Sequence, residues 1–566
     1  MRFGSYRLLV ALLAAMLLTA CTIAGPTPAP ARASSTEQAI FGGGSELLDD
    51  PAGALDSLRL LGAQTVRVLV QWSAIAPNAR SRRAPRPFSA SNPASYRTSA
   101  WAPYDTFVRD ARARGIKVLF DVTGPAPLWA AGTAPPGTSA HNPATWQPSA
   151  VQFGQFVKAV ATRYGGSYDP QTHMVEPSAA DLPRVSEWSV WNEPNYGPDL
   201  TPQAVRGVEV GARTYRALLD QAWNALQHTG HSRDTILFGD LAPRGSRFPG
   251  TANGTDPLRF LRALYCVSAD DTVLRGSAAV ARGCPTSAAG SDAFAVHHPA
   301  LFAASGFAIH PYTRAETGPP DVPSPPEDPD WVGFADLPKL GDTLDTLTAA
   351  YGSRRRLPID ITELGFQTSP PKQNCRCSSP SVAAAYMNWA EYLSYANPRI
   401  ASYAQYQLAD VSASLEDAGV YTFWASGLVS PSGAQLPTFN AYRLPIYLPV
   451  TRVTRGQPQL VWGAVRPAAY ARADVRAASL TAPVAAAVQR VQIEFRRAKA
   501  PDWTTLAVVA VTNPRGYFEA RVRFPSSGAV RLRYTYPTQF AFTPTGGAAG
   551  TIVSRTVNVA IIRGTK

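Results

Sequence analysis

The sequence predicts an α/β protein: a (β/α)8 TIM barrel over residues 37–445, followed by a small all-β sandwich domain over 446–566. Three observations predict it. Eight Val/Ile/Leu/Phe-rich runs occur, mostly without alternation, as expected of strands buried on both faces. Helix-like patterns fall between them. After residue 445 the pattern turns to alternating segments separated by turn residues. At 566 residues the chain exceeds one ordinary core, and 45% hydrophobic with 16% charged residues excludes a disordered polymer.

Residues 1–36 read as an export segment and tether. Arg2 and Arg7 precede a short apolar core, Leu8 to Leu18, too short to span a bilayer comfortably. Leu18-Thr19-Ala20-Cys21 then resembles a bacterial lipobox, in which Cys21 becomes the lipidated first residue; cleavage after Ala31-Arg32-Ala33 is the alternative. Gly25 to Ser35 is a flexible Pro/Ala/Ser-rich tether in either case. The expectation is an exported protein with no transmembrane helix in the mature chain, either a lipoprotein on the outer face of a bacterial membrane or secreted.

The barrel strands are expected at 37–41, 65–71, 117–122, 185–191, 235–239, 306–310, 357–362 and 402–408. Helical patterns between them include Tyr104 to Arg114, Val151 to Arg163, Thr201 to Gln227, Leu337 to Tyr351 and Ser381 to Ala396. Helix-to-strand links such as Leu61-Gly62-Ala63 and Arg114-Gly115-Ile116 are tight. Many strand-to-helix links are long (72–103, 123–148, 311–335, 364–380 and 409–438), and in such barrels these build the active-site face. The long stretches 164–184 and 267–305 precede strands and have no assigned role. In the sandwich the strand segments are Gln459 to Trp462, Val491 to Phe495, Thr505 to Val511, Phe518 to Phe524, Val530 to Tyr536 and Ile552 to Val559, with Pro445 and Pro449 marking the linker.

Five cysteines less Cys21 leave four, and in an exported chain an even remainder suggests disulfides. Cys266 with Cys284 is the favoured pair. Cys375 and Cys377 would then pair across one residue, a strained arrangement, so cross-pairing stays open. The spacing does not suit zinc, and no metal is expected. From residue 446 onward 17 Arg or Lys face only Asp474, Glu494, Asp502 and Glu519, an excess of 13 that accounts for the whole net charge of +13. Arg521-Val-Arg523 and Arg531-Leu-Arg533 alternate with apolar residues and are expected to line one outward face of neighbouring strands. Such a face could hold an anionic envelope polymer or lipid head groups, or be simply solvated. No recognised nucleic-acid motif is present.

The chemistry centres on Trp188-Ser-Val-Trp191-Asn192-Glu193-Pro194-Asn195, an apolar run stopped by a glutamate with a proline behind it. Pro194 cannot donate to a ladder, so the strand should end there. A second strand-end glutamate stands in Leu357-Pro-Ile-Asp-Ile-Thr-Glu363. Two carboxylates at the C-terminal mouths of strands four and seven are what retaining glycoside hydrolysis requires: one protonates the leaving oxygen, the other traps the sugar. Trp72, Trp101, Trp129 and Trp424 follow strands and could pack against sugar C–H faces or serve as loop core. Asp121 reads as a cap of the turn after the third strand, with contact to a sugar hydroxyl as the alternative.

Asn192-Glu193-Pro194 on the fourth strand and Glu363 on the seventh resemble the clan of retaining glycosidases that includes family 5 cellulases and family 39 xylosidases and iduronidases. The segments Gly124-Pro125-Ala126-Pro127-x-Trp129-Ala130 and Gly427-Leu428…Pro437…Ala441-Tyr442-Arg443 resemble actinobacterial extracellular members. The resemblance covers about residues 37–445. It implies Glu193 as acid/base, Glu363 as nucleophile, and Asn192 on the hydroxyl beside the anomeric carbon. His310-Pro311-Tyr312 resembles the clan's His-x-Tyr, whose tyrosine touches the nucleophile, and Arg67 an arginine that keeps the nucleophile ionised. Such barrels often end strand eight in a tryptophan platform; here the strand reads Gln405-Tyr406-Gln407-Leu408-Ala409-Asp410, so Gln407, Asp410 or Trp424 would take that place. The expectation is a monomeric retaining glycosidase acting on a carbohydrate substrate without cofactor. The alternatives are a transglycosylase on a surface polymer and a non-catalytic carbohydrate-binding barrel.

Overall fold

The computed structural model describes residues 34, 36–138, 142–178, 180–314, 317–369, 377–410, 424–468, 489–536 and 550–562. The expected export segment with Cys21, and Cys375 of the second cysteine pair, lie outside these residues. Among the described residues no helix is long and apolar enough to cross a membrane.

Eight parallel strands close a barrel: β1 (Gln38–Gly42), β2 (Thr65–Gln71), β3 (Lys117–Thr123), β4 (Glu187–Val190), β5 (Thr235–Leu241), β6 (Gly306–Ile309), β7 (Ile359–Ile361) and β8 (Ile400–Tyr406). A helix follows each: α1 (Pro51–Leu61), α2 (Thr98–Ala113), α3 (Ala150–Arg163), α4 (Gly211–His228), α5 (Pro257–Leu264), α6 (Leu337–Ala349), α7 (Pro380–Tyr395) and α8 (Pro437–Arg443). The barrel closes where β1 pairs β8, Gln38 opposite Ser402. Strand β2 shows how sequence becomes architecture. Val66, Val68 and Val70 are buried, while the intervening Thr65 and Arg67 reach across the interior to Glu187 and Glu363.

Local signals start and stop the helices. Asp50 accepts from Gly53 N at the head of α1, Ser149 from Gln152 N at α3, and Ser379 from Val382 N at α7. Proline occupies the first turn of α1 and α7, where its missing N–H costs nothing. Helix α1 stops at Gly62 (φ 75°), and a Cβ there would lie 2.8 Å from Pro467 Cα, so the tight link to β2 also lets the sandwich approach.

The helix expected over Thr201 to Gln227 begins only at Gly211. Ahead of it Ala204–Val205 pairs with Val208–Glu209 around Arg206 (φ 51°) and Gly207 (φ 76°). Two successive left-handed residues make the hairpin turn that right-twisted strands favour, which overrides the helical periodicity. The unassigned stretch 267–305 holds four short helices and is tied by the disulfide Cys266–Cys284, with Cα atoms 5.7 Å apart. Arg216 braces it, donating to Leu264 O at 2.8 Å and Gly283 O at 2.9 Å.

Among the described residues the C-terminal sandwich has nine strands: β9 (Ile446–Tyr447), β10 (Arg452–Thr454), β11 (Gln459–Ala464), β12 (Gln489–Arg497), β13 (Thr504–Val511), β14 (Tyr517–Val522), β15 (Gly528–Thr535), β16 (Thr551–Val553) and β17 (Val557–Ile562). Strands β9-β11-β14 form one sheet. The other runs β10-β17-β15-β12-β13, with β16 pairing β15. The single segment expected over Ile552 to Val559 is two strands, broken at Ser554, whose hydroxyl accepts from Leu532 N. A larger correction concerns the arginines. Arg521 lies on β14 and Arg531 and Arg533 on β15, in different sheets, so the four do not share one face. The chain crosses between sheets at Pro525-Ser-Ser-Gly528, a turn signal too short to reveal a change of sheet.

The two cores meet over a buried ion pair. Arg466, just after β11, donates to both carboxylate oxygens of Glu391 on α7 and, at 2.7 Å, to Tyr442 O. Glu37 lies in the same cluster, and burial together with the Glu391 charge pushes its carboxyl well above the usual range.

Candidate active site

At the C-terminal mouth of the barrel the strand ends converge on Arg67 of β2. Its Nη1 donates to Glu363 Oε1 at 2.5 Å, and its Nη2 to Asp121 Oδ2 at 2.6 Å and Asn192 Oδ1 at 2.7 Å. Asp240 Oδ1, at the end of β5, lies 3.9 Å away. Burial alone would lower the Arg67 pKa, but Asp121, Asp240 and Glu363 raise it beyond any accessible pH. Asp121 is therefore neither a turn cap nor a free sugar contact: it is the ion partner of Arg67. Burial pushes its carboxyl up to about 7 against the lowering effect of that cation.

His310, fully buried after β6, holds the other side. Its Nδ1 donates to Glu193 Oε1 at 2.9 Å and lies 3.6 Å from Glu363 Oε2, and its Nε2 donates to Asp240 Oδ1 at 3.3 Å. Burial would lower its pKa, but the charge of Glu363 and hydrogen bonds to Asp240 and Glu193 push it up to about 10. His310 is thus an imidazolium with both ring N–H groups engaged. Asp240 also accepts from Ser189 and Thr362. Burial opposes its charge, yet Arg67 and His310 bring its carboxyl down to about 2.

Glu363 receives a second hydrogen bond from the Tyr312 hydroxyl, 2.9 Å from Oε2. Carboxylate oxygens of Glu193 and Glu363 and a ring nitrogen of His310 lie within 4.8 Å of one another. The His310 nitrogen of this set is already hydrogen-bonded to Glu193 Oε1. Three residues here carry left-handed backbone: Trp191 (φ 69°), Glu193 (φ 42°) and Asp240 (φ 41°). Each costs about 1–3 kcal/mol and persists only where the surroundings impose it, as at active sites. The Glu193 N–H donates to Asp240 O at 3.0 Å, which ties two of them together.

Asn192 is locked in place. Its Oδ1 accepts from Arg67, its Nδ2 donates to Asp199 Oδ2 at 3.3 Å, and its backbone N–H donates to Thr123 Oγ1 at 2.9 Å. An acceptor facing Arg67 and a donor facing Asp199 settle which way the amide points. Asp199 was invisible in the sequence. Burial and the nearby Glu193 raise its carboxyl well above the usual range.

The aromatics divide. Trp424 packs edge-on to Tyr312 at 4.9 Å and to Tyr406 at 6.3 Å, and its indole N–H has no partner among the described residues. Tyr406, at the end of β8, stands where such barrels often carry a tryptophan, and its position at the end of a run of strand residues is the one signal in the sequence that marks it. Gln407 donates to Trp424 O at 2.7 Å and so supports that ring. Trp129 packs edge-on to Trp72 and Phe88 and donates to Pro77 O at 2.9 Å, bracing the loops after β2 and β3. Trp72 and Trp101 are wholly buried, Trp101 within α2 rather than a loop, and are core residues. Asp410 accepts from Gly427 N at 2.7 Å, and burial pushes its carboxyl up to about 6.

No family model and no curated protein matches the chain. Among solved structures it is similar to a family 39 glycoside hydrolase from Bacteroides cellulosilyticus WH2, at 12% identity over 87% of this chain and 80% of that one, TM-score 0.39. It is also similar to a GH5_18 protein from Streptomyces cattleya in complex with GlcNAc, at 15% identity over 75% and 84%, TM-score 0.40. A third is the exo-beta-1,4-mannosidase Op5Man5 from Opitutaceae bacterium strain TAV5, at 13% identity over 72% of this chain and 58% of that one, TM-score 0.38. Likeness at this level carries no argument for activity; the functional reading rests on the site itself.

Proposed function

We propose that the protein is a retaining O-glycosidase with Glu193 as acid/base and Glu363 as nucleophile. The observation that carries this is the approach of the two carboxylates to within 4.8 Å. Retaining pairs stand about 5–5.5 Å apart, whereas inverting pairs leave about 6.5–9.5 Å for a water. In the first step Glu363 bonds to the anomeric carbon while the leaving oxygen takes the proton of Glu193. In the second, a water gives its proton to Glu193 and its oxygen displaces Glu363. Arg67 and Tyr312 each hold one oxygen of Glu363, so the nucleophile is aimed before substrate arrives. Asn192 offers its remaining amide N–H to the sugar, and Trp424 with Tyr406 walls the nucleophile side. The same reading takes residues 1–36 as an export segment, with Cys21 as lipid anchor or the tether cleaved, and the mature protein as a monomer.

The test is a panel of 4-nitrophenyl glycosides with wild type, Glu363→Gln and Glu193→Ala. The reading expects release from at least one sugar, loss of about 10³-fold or more in Glu363→Gln, and azide rescue of Glu193→Ala with formation of the glycosyl azide of retained configuration. Release of an inverted product, or activity untouched by Glu363→Gln, would overturn it. Binding of a glycoside without turnover by wild type would favour the carbohydrate-binding alternative.

A further inference from the structure

The outer face of the larger sandwich sheet carries a basic surface of a different composition from the one the sequence suggested. On β12 and β15 the core side is Val491, Ile493, Phe495, Val530, Leu532 and Tyr534. The alternate positions Arg490, Glu494, Arg496, Arg531 and Arg533 therefore face away from it. In register, Glu494 stands opposite Arg531, and Gln492 opposite Arg533. Glu494 is the sole acid among these five and is buried beneath its neighbours: Arg531 Nε donates to it at 2.7 Å, and Arg533 Nη1 lies 3.6 Å away. Trp503 lies alongside, with the guanidinium of Arg531 at 4.0 Å and of Arg496 at 4.9 Å from its ring centre. Four guanidiniums against one carboxylate leave this face strongly positive, and two of them are fixed in direction by a ring.

We infer that this face binds an acidic polysaccharide, a chain with carboxylate groups along its length. The charge is complementary. Guanidiniums already ordered by Glu494 and Trp503 lose less side-chain freedom on pairing with carboxylates, and their planar forks match them. A bilayer would be met by aromatic or long apolar side chains that insert; the exposed large apolar residues described on this sheet are Val508 (51% exposed), Val553 (38%) and Ile562 (38%), none of them aromatic. Single-stranded nucleic acid would need a free aromatic face, and the Trp503 ring already carries two cations. The inference stands on the sandwich alone and does not depend on the barrel chemistry.

The test is affinity electrophoresis of the full chain through gels containing polygalacturonate, with neutral dextran as control. Retardation by polygalacturonate, but not by dextran, is expected, together with a loss of retardation as salt rises. The double variant R490Q/R533Q should weaken the affinity by about tenfold. Both residues are exposed, and removing them leaves the Arg531–Glu494 pair intact, so the melting temperature serves as the check that the fold is retained. R521Q/R523Q removes the same charge from the other sheet and should change the affinity by less than about twofold. No retardation by polygalacturonate refutes the inference. So does equal weakening by both double variants, which would mean net charge alone is at work. Binding to phosphatidylglycerol vesicles without retardation by polygalacturonate would assign the face to membranes instead and refute it as well.

Discussion

The His310 charge offers a quantitative check on the site. In the unfolded chain an imidazole titrates near 6.5; in the fold it is held up to about 10, a span of about 3.5. At 1.36 kcal/mol per unit this is about 5 kcal/mol of stability at most. Because the folded-state pKa is the higher one, the whole contribution is present below pH 6.5. It is lost as pH climbs through 10, at up to about 1.4 kcal/mol per pH unit. His310→Asn removes the titrating group while keeping a donor. Guanidinium melts of wild type and variant at pH 7, 8, 9 and 10 isolate its share, since other groups titrate in both proteins. The stability gap should narrow by about 2–4 kcal/mol between pH 7 and pH 10, the lower figure allowing for relaxation of a coupled network. A gap constant to within about 0.5 kcal/mol would refute the imidazolium, and with it the view that one buried cation holds Glu193, Glu363 and Asp240 together.

Three further outcomes follow from particular contacts. Tyr312→Phe removes one hydrogen bond to Glu363 and should lower kcat/KM by about 10-fold on any substrate found, with the melting temperature nearly unchanged; steady-state kinetics and a thermal melt separate this from a folding defect. Arg466→Met strands Glu391 and Glu37 in the interface between barrel and sandwich and should cost about 3–5 kcal/mol, read by denaturant titration. The double variant Arg466→Met/Glu391→Leu should recover a large part of that loss. Replacing both Cys266 and Cys284 by serine opens a loop of sequence separation 18 and should lower stability by about 3 kcal/mol in the chain-entropy account. If the paired serine variant melts like the oxidised wild type, the bridge carries no such constraint.

The sequence by itself determined the eight-strand barrel and the glutamates at the ends of its fourth and seventh strands. A strand buried on both faces is apolar along most of its length, so Val66-Arg-Val-Leu-Val70 or Trp188-Ser-Val-Trp191 announces itself within a few residues, and a charged residue at such a place is conspicuous. Glu193 and Glu363 were legible for that reason, and Arg67 and His310 through the resemblance to the clan. Asp240 was not: the strand extends past residue 239 to Leu241, and an aspartate one step beyond an expected strand looks like any turn residue. Asp199 escaped in the same way, and Asp121 was noticed but given the wrong role, because a capping carboxylate and a buried one read alike until a partner from another strand is in place. The arginines of β14 and β15 were assigned to one face because alternation reports which side of a strand a residue takes, not which sheet the strand joins. Distances within the site, the protonation of His310, the meeting of Arg466 with Glu391 and the division of the arginines between two sheets were decided only by tertiary structure. They depend on groups far apart in the chain sharing one buried volume, where desolvation and charge act together and local sequence carries no record of either.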